Sequence, residues 1–246
     1  MPLAYDRAGP AGALPLVLLH AGIADRRMWD PLWDELTAER DAIRVDLRGF
    51  GESVSKPAGP LDPVADVLAT LADVPRFDLV GASYGAGVAV ELALAAPERV
   101  ASLLLSGPGG SLIAEVTPGL RAFWDAENAA IEAGDLDAAV AANLDTWLSG
   151  ADPQVRERVA VMQRLAFELT ADWDDVEDVE NDPLPRLGEI AVPTTVVFGT
   201  RDVDAIQDTA RRVAEAIPDA RLIEWTDVAH LPSMERPGEF LALLRG

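Results

Sequence analysis

The sequence predicts an α/β fold with a mostly parallel sheet and helices on both faces. Short apolar runs alternate along the chain with longer helical patterns, and the apolar runs lack the polar alternation of half-exposed strands. Apolar runs without alternation are typical of strands that are buried on both faces. Repeated strand–helix–strand order is typical of a parallel sheet.

The apolar runs predict the strands, and the periodic segments between them predict the helices. The predicted strands are residues 14–19, 42–47, 77–81, 100–107, 194–199 and 220–225. The predicted helices of the sheet layers are residues 29–36, 63–72, 84–96, 203–217 and 237–244. Pro97 directly follows the alanine-rich helix at 84–96 and stops it, because proline cannot continue a helix.

Residues 111–185 break this alternation. They contain helical patterns at 119–133, 136–148 and 153–169 and no convincing strand. The segment lies between two predicted strands, so we expect a helical cap, inserted before the last two strands and lying over the strand ends. The core domain is then formed by residues 1–110 and 186–246.

The cap ends in a strongly acidic stretch, residues 172–182. A run of charges is typical of a solvated connector. A calcium site is the alternative, but the stretch lacks the glycine and the ligand spacing of an EF-hand loop.

Composition narrows the possible functions. The formal net charge is −22, so the surface repels phosphate backbones and anionic lipids, and we expect neither a nucleic-acid nor a membrane partner. The chain has no cysteine, which excludes disulfides, thiolate nucleophiles and cysteine-ligated metals. The apolar run at 14–19 is too short for a signal-peptide core or a membrane span, so a cytoplasmic location is expected.

A serine stands between two glycines where a predicted strand turns into a helix. The stretch Gly81-Ala82-Ser83-Tyr84-Gly85 has the Gly-x-Ser-x-Gly pattern of a nucleophile elbow, in which a sharp, strained turn projects the serine from the end of the strand. A glycine-rich turn without catalytic duty is the alternative. Phosphate-binding and dinucleotide-binding loops do not fit, because their lysine and their third glycine are missing.

A serine hydroxyl needs a base, and only two histidines are present, His20 and His230. His230 lies in a loop after the last predicted strand, at the edge of the sheet where Ser83 is expected. His20 follows the first predicted strand, and its neighbours suggest that it shapes a loop. Asp202, just past the strand at 194–199, is the candidate partner of the base, and Asp204 is the runner-up.

These pieces together resemble the α/β-hydrolase fold superfamily, in particular its small bacterial esterases, enol-lactonases and cofactor-free haloperoxidase-like proteins. The matching stretches are residues 20–23, 46–53, 81–87, 97–100, 192–202 and 229–240. The resemblance implies that Ser83 is the nucleophile, Asp202 the acid and His230 the base. It also implies an oxyanion hole formed by the backbone N–H groups of Ile23 and Tyr84, and no cofactor or metal.

The sequence departs from the family pattern in two places. His20-Ala21-Gly22-Ile23 replaces the commoner His-Gly-x-Gly, and Ala82 and Tyr84 flank the serine where other residues are frequent. Ser83 argues against the related haloalkane dehalogenases, whose nucleophile is an aspartate.

The expected function is therefore hydrolysis of a carboxylic ester or lactone of a small to medium neutral substrate through an acyl-enzyme. The same triad could instead serve carbon–carbon bond hydrolysis, perhydrolysis or acyl transfer, or the fold could act as a slow-turnover ligand sensor. Four aromatic residues are candidates for lining the substrate pocket, unless they simply pack the lobe: Trp29, Phe123, Trp124 and Trp147. Oligomeric state, monomer or homodimer, stays open.

Overall fold

The structure is a computed structural model that describes residues 2–12 and 14–245. Residues 1 and 246, the outer limits of the predicted core domain, and residue 13 within it lie outside the described residues. The described strands form one sheet of seven, in the order β1-β3-β2-β4-β5-β6-β7. Their bounds are Tyr5–Ala8 (β1), Leu16–Leu19 (β2), Ala42–Val45 (β3), Phe77–Ala82 (β4), Val100–Ser106 (β5), Thr194–Gly199 (β6) and Arg221–Trp225 (β7).

The predicted fold class is confirmed, with one strand added. Strands β2 to β7 pair in parallel, whereas β1 pairs antiparallel with β3 at the edge of the sheet. The sequence of β1, YDRA, has no apolar run and alternates exposed with half-buried positions, as an edge strand can. The pattern that predicted the buried strands therefore could not find it.

Helices cover both faces of the sheet. The helices of these layers are Asp30–Glu39 (α1), Pro63–Thr70 (α2), Tyr84–Ala95 (α3), Asp204–Ala216 (α7), Pro232–Glu235 (α8) and Pro237–Arg245 (α9). Strand β2 shows how the core divides, because Val17 and Leu19 join the cluster that contains α2 and α3, while Leu16 and Leu18 join the cluster that contains α1 and α9. Successive side chains of a strand point to opposite faces, so a fully apolar strand supplies both clusters.

Three further helices lie between β5 and β6: Pro118–Glu132 (α4), Leu136–Trp147 (α5) and Pro153–Thr170 (α6). Each begins at a side chain that accepts a hydrogen bond from a backbone N–H of the first turn. The accepting residues are Thr117, Asp135 and Asp152, and α4 and α6 also have proline at their first position. Local sequence thus defines where these helices start.

The helices α4 to α6 pack onto the core through apolar side chains. Leu120, Trp147 and Met162, one from each helix, belong to the same buried cluster as the α1 and α9 face. The acidic stretch that follows α6 is mostly exposed and is tied to the loop after β3, where Leu61 N donates to Glu177 O at 2.7 Å and Val179 N donates to Leu61 O at 2.9 Å.

None of the helices among the described residues combines the length and apolar character that a membrane crossing requires. Nor do the acidic and histidine side chains of the described residues form a group of three or more that could hold a metal ion.

Candidate active site

Ser83 occupies a strained turn between β4 and α3. Its φ is 51° and its ψ is −115°, a region that side-chain-bearing residues rarely adopt. The flanking glycines are required by contact distance. A Cβ on Gly81 would lie 2.3 Å from Gly85 O, and one on Gly85 would lie 2.5 Å from His20 O. Both clashes are with backbone, so neither position can accept a side chain without moving the strand or the helix.

Backbone hydrogen bonds hold this turn in place. Ser83 N donates to Ser106 O at 2.9 Å, which extends the pairing of β4 with β5 by one residue. Ser83 O accepts from Ala86 N at 2.9 Å and from Gly109 N at 3.2 Å. The strained conformation, which costs about 1–3 kcal/mol, is therefore over-determined by the surrounding structure.

The structure brings Ser83, His230 and Asp202 into one hydrogen-bonded chain. Ser83 Oγ lies 2.7 Å from His230 Nε2, and His230 Nδ1 lies 2.7 Å from Asp202 Oδ2. A carboxylate only accepts, so Nδ1 carries the proton and Nε2 is left to accept from the serine hydroxyl. His230 and Asp202 are both buried. This is the arrangement in which a histidine can remove the serine proton.

The runner-up carboxylate takes no part in this chain. Asp202 is held by a hydrogen bond from Val203 N to its Oδ1 at 2.8 Å. Asp204 is exposed at the start of α7, where it accepts from Thr117 Oγ1 and from Ala205 N, each at 2.8 Å. It therefore joins the first helix of the inserted segment to α7 and does not reach the histidine pair.

Glu235, which the sequence analysis did not single out, organises the loop that carries His230. Its carboxylate accepts from Ala229 N at 3.0 Å and from Leu231 N at 3.3 Å, so it holds the backbone on both sides of the histidine. Burial raises the pKa of Glu235, and the N–H groups of Ala229 and Leu231 oppose that rise, as does Arg201 at 3.6 Å. The sequence signal that could have identified Glu235 is its position, five residues after the candidate base His230.

His20 is committed to the backbone. Its Nε2 accepts from Leu47 N at 2.9 Å, so its Nδ1 carries the proton and donates to Ala21 O at 2.9 Å. Desolvation by complete burial lowers the pKa of His20, which favours this neutral form. The ring joins the loop after β2 to the end of β3, as expected of a loop-shaping residue.

Two backbone N–H groups near Ser83 have no hydrogen-bond partner within the described part of the chain. Ile23 N lies inside the turn that Ala24 N closes by donating to Ala21 O, and Tyr84 N is in the first position of α3. The two loops touch, because a Cβ on Gly22 would lie 3.4 Å from Tyr84 Cβ. These free donors can bind an anionic oxygen.

A cavity of about 320 Å³ opens onto Ser83 and His230. The core supplies Gly22, Ile23 and Phe50 as further lining residues. The inserted helices supply the rest: Phe123, Glu127, Asn143, Trp147, Gln163, Ala166, Phe167 and Thr170. Sequence reasoning named Phe123 and Trp147 but missed the polar members, because a polar residue on an amphipathic helix usually faces solvent.

Two of the aromatic candidates do not line this cavity. Trp29 is fully buried and packs against Phe240 at a centroid distance of 6.1 Å, on the α1 and α9 face of the sheet. Trp124 is 38% exposed. It follows Phe123 directly, and one residue turns an α-helix by about 100°, so the two side chains occupy different faces of α4.

Known proteins resemble this chain over most of its length. The pattern of the Alpha/beta hydrolase family matches residues 16–243. Pimeloyl-[acyl-carrier protein] methyl ester esterase of Chromobacterium violaceum is 28% identical over 92% of this chain and 89% of its own length. 2-Hydroxymuconate semialdehyde hydrolase of a Pseudomonas species is 36% identical, but over only 45% of this chain and 41% of its own length.

Solved structures match over almost the whole chain. Est816, described as an N-acyl homoserine lactone degrading enzyme, has a TM-score of 0.79 and 27% identity, covering 99% of this chain and 96% of its own. A hydrolase from Pseudomonas aeruginosa PA01 has a TM-score of 0.79 and 30% identity, covering 98% and 92%. The family match spans nearly all of the sheet and all of the inserted helices, so the chain is a member of the alpha/beta hydrolase family.

Proposed function

We propose that the protein hydrolyses a carboxylic ester or lactone of a small to medium neutral substrate through an acyl-enzyme on Ser83. The observation that carries the proposal is the hydrogen-bonded chain from Ser83 Oγ through His230 to Asp202, with both links at 2.7 Å. As a member of its family the protein is a hydrolase, and relatives named as a methyl ester esterase and a lactone-degrading enzyme support ester chemistry.

In the first half of the reaction, Ser83 Oγ attacks the substrate carbonyl while His230 Nε2 takes the hydroxyl proton. Asp202 stabilises the imidazolium that forms and fixes its orientation. The N–H groups of Ile23 and Tyr84 donate to the negative oxygen of the tetrahedral intermediate. His230 then gives the proton to the leaving alkoxide, and the C–O bond to that group breaks.

In the second half, His230 removes a proton from a water molecule that attacks the acyl-enzyme. Collapse of the second tetrahedral intermediate returns the proton to Ser83 Oγ and releases the carboxylic acid. All proton transfers use one imidazole, and the proposed steps call for no cofactor. We further propose that residues 111–185 act as the cap, because α4 to α6 form one wall of the cavity.

Carbon–carbon bond hydrolysis is the second candidate. One relative is named as a hydrolase of 2-hydroxymuconate semialdehyde, a name that mentions no ester. The same serine and histidine could attack a ketone carbonyl, and the leaving group would then be a carbanion that must accept a proton. The match to this relative covers less than half of either chain, so ester hydrolysis is favoured.

The test compares Ser83→Ala with the parent on short p-nitrophenyl esters and lactones. β-Diketones are included to test for carbon–carbon bond hydrolysis. We expect kcat to fall by at least about 1,000-fold, because the nucleophile is removed. Ser149→Ala, at an exposed position away from the cavity, is the matched control. Undiminished turnover by folded Ser83→Ala would refute the assignment. Cleavage of diketones alone would select the second candidate.

A further inference from the structure

Three polar side chains of the inserted helices face the cavity and take no part in the proposed chemistry. They are Glu127 on α4, Asn143 on α5 and Gln163 on α6, and we call them the cap polar cluster. Asn143 is 1% exposed and Gln163 is 5% exposed, so both are as buried as core residues. Polar groups at such positions are normally paired with other protein groups.

One polar atom of Asn143 is left without a hydrogen-bond partner among the described residues. Its Nδ2 donates to Ala139 O at 3.0 Å and to Glu127 Oε1 at 2.5 Å. Two acceptors on this nitrogen settle the orientation of the amide, and they leave Oδ1 as a free acceptor. Within the described residues Oδ1 has no hydrogen-bond partner.

Glu127 likewise has one carboxylate oxygen with a hydrogen-bond partner and, among the described residues, one without. Its Oε1 accepts from Asn143, while its Oε2 has neither a hydrogen-bond donor nor a cation within the described residues. Desolvation raises the pKa of Glu127, and the hydrogen bond from Asn143 opposes that rise only in part. A carboxyl group in this position disfavours a second negative charge beside it and offers an oxygen to a donor.

Gln163 completes the cluster with an unpaired amide. Its Oε1 is enclosed without a partner, and within the described chain its Nε2 has none either. Because Oε1 is enclosed, Nε2 is the atom of this amide that a ligand can reach, and an N–H donor is complemented by a carbonyl oxygen. Leaving this donor unpaired in a mostly buried site is unfavourable for the protein alone, which points to a ligand as the partner of Nε2.

The cluster has a defined position relative to His230. The Trp147 ring lies against His230, and the Phe123 ring lies against Trp147 at a centroid distance of 5.0 Å. Glu127 and Asn143 each lie four residues from these aromatic residues, on the same helices. Four residues correspond to about 6 Å along a helix, so the polar pair lies one turn beyond the aromatic pair.

We propose that the cap polar cluster binds a secondary amide carried by the substrate several bonds away from the ester or lactone carbonyl. The amide N–H donates to Asn143 Oδ1 and Glu127 Oε2, and the amide carbonyl accepts from Gln163 Nε2. The aromatic pair covers the apolar spacer between the two groups. This inference rests on the proposed function for its substrate, while the binding of the amide can be measured without turnover.

The test uses p-nitrophenyl 6-acetamidohexanoate and its N-methyl analogue, which keeps the carbonyl and loses the N–H. The nonanoate ester provides a hydrocarbon reference of the same length. We expect the parent to prefer the N–H ester over the N-methyl ester by about fivefold or more in kcat/KM, as the loss of one hydrogen bond predicts.

Two variants with matched controls assign the preference to the cluster. Glu127→Leu removes one of the two proposed acceptors and should lower the ratio of N–H to N-methyl ester, whereas Glu132→Leu, at the exposed end of α4, should keep the parent ratio. Gln163→Met should lower kcat/KM for both amide esters relative to nonanoate, whereas Gln154→Met, exposed at the start of α6, should not. Thermal unfolding of every variant checks that it is folded.

Calorimetric binding of the intact esters to Ser83→Ala separates this inference from the proposed function. If the N–H ester binds more tightly but the parent hydrolyses no ester, the amide site is supported and the proposed function is refuted. Hydrolysis of all three esters with no N–H preference, in turnover and in binding, keeps the proposed function and overturns the amide site. An N–H preference that stays at the parent value in Glu127→Leu, together with an unchanged ratio of the amide esters to nonanoate in Gln163→Met, also overturns it.

Discussion

The indole of Trp147 lies against the imidazole of His230, with a distance of 4.6 Å between ring centroids and a tilt of 36° between the planes. The two residues are also joined through the backbone, because His230 N donates to Trp147 O at 3.1 Å. Trp147 is the last residue of α5, whereas His230 follows β7. The inserted helices therefore help to hold the candidate base in place.

This contact predicts that the Trp147 ring assists the reaction. Trp147→Leu keeps the backbone carbonyl and removes the aromatic face, which would stabilise an imidazolium by about 1–2 kcal/mol in a desolvated site. We expect kcat for p-nitrophenyl acetate to fall about tenfold. Trp124→Leu, which alters an exposed tryptophan outside the cavity, should leave kcat unchanged. Equal kcat values for Trp147→Leu and the parent would show that the ring only fills space.

Replacing Asp202 should lower kcat far more than replacing Asp204, two residues further along the chain. Asp202→Asn replaces the acceptor of His230 Nδ1–H by an amide that favours the wrong tautomer, and we expect kcat to fall by about 1,000-fold or more. Asp204→Asn should change kcat by less than about twofold, because within the described chain its carboxylate hydrogen-bonds to Thr117 and Ala205 at the surface and not to His230. Steady-state kinetics on one ester compares them directly, and similar losses in both would contradict the assignment of Asp202.

The strained backbone at residue 83 predicts that the serine needed for activity lowers the stability of the fold. A φ of 51° with ψ of −115° is strained for serine or alanine but open to glycine. We expect Ser83→Gly to be about 1 kcal/mol more stable than Ser83→Ala, after the greater flexibility of unfolded glycine has offset part of the gain. Both variants lack the hydroxyl, so urea unfolding isolates the strain. A less stable Ser83→Gly would mean that the turn carries no strain.

Glu127 predicts a pH dependence of stability. Because burial raises its pKa above the ordinary value of 4.5, the folded chain holds this proton more tightly than the unfolded chain. That stabilisation is fully present below the unfolded pKa and is lost as the pH rises through the folded pKa. Glu127→Gln cannot titrate, so its stability relative to the parent should increase between about pH 4 and about pH 7. Urea unfolding across this range tests the trend.

Glu132→Gln serves as the control for the pH experiment, since its side chain is exposed near the end of α4. Its stability relative to the parent should show no comparable rise with pH. A flat difference for Glu127→Gln as well would mean that the Glu127 carboxyl is hydrated in the folded protein.

The sequence alone predicted much of the fold because its signals are local. Apolar runs marked β2 to β7, and periodic segments marked the long helices within a few residues. The edge strand β1 escaped, because YDRA has the composition of a loop and becomes a strand only by pairing with β3. The short helix Pro232–Glu235 escaped for a similar reason, since one turn has no periodicity.

The candidate site also has a part that the sequence predicted and a part that depends on the tertiary structure. Gly81, Ser83 and Gly85 are neighbours in the chain, so their pattern by itself predicted a sharp turn with a projecting hydroxyl. The choice of His230 over His20 rested on position along the chain. The contacts that distinguish the two histidines depend on the tertiary structure. His20 Nε2 accepts a hydrogen bond from Leu47 N, whereas His230 Nε2 is hydrogen-bonded to Ser83 Oγ.

The sequence by itself determined which segments are strands and helices and which residue types stand at the strand ends. Only the tertiary structure decided that Trp29 packs under the sheet, that Trp124 faces away from the cavity, and that Glu127, Asn143 and Gln163 turn polar atoms into it. The physical reason is that the direction of a side chain follows from its helix, whereas what it meets depends on how distant helices pack against one another.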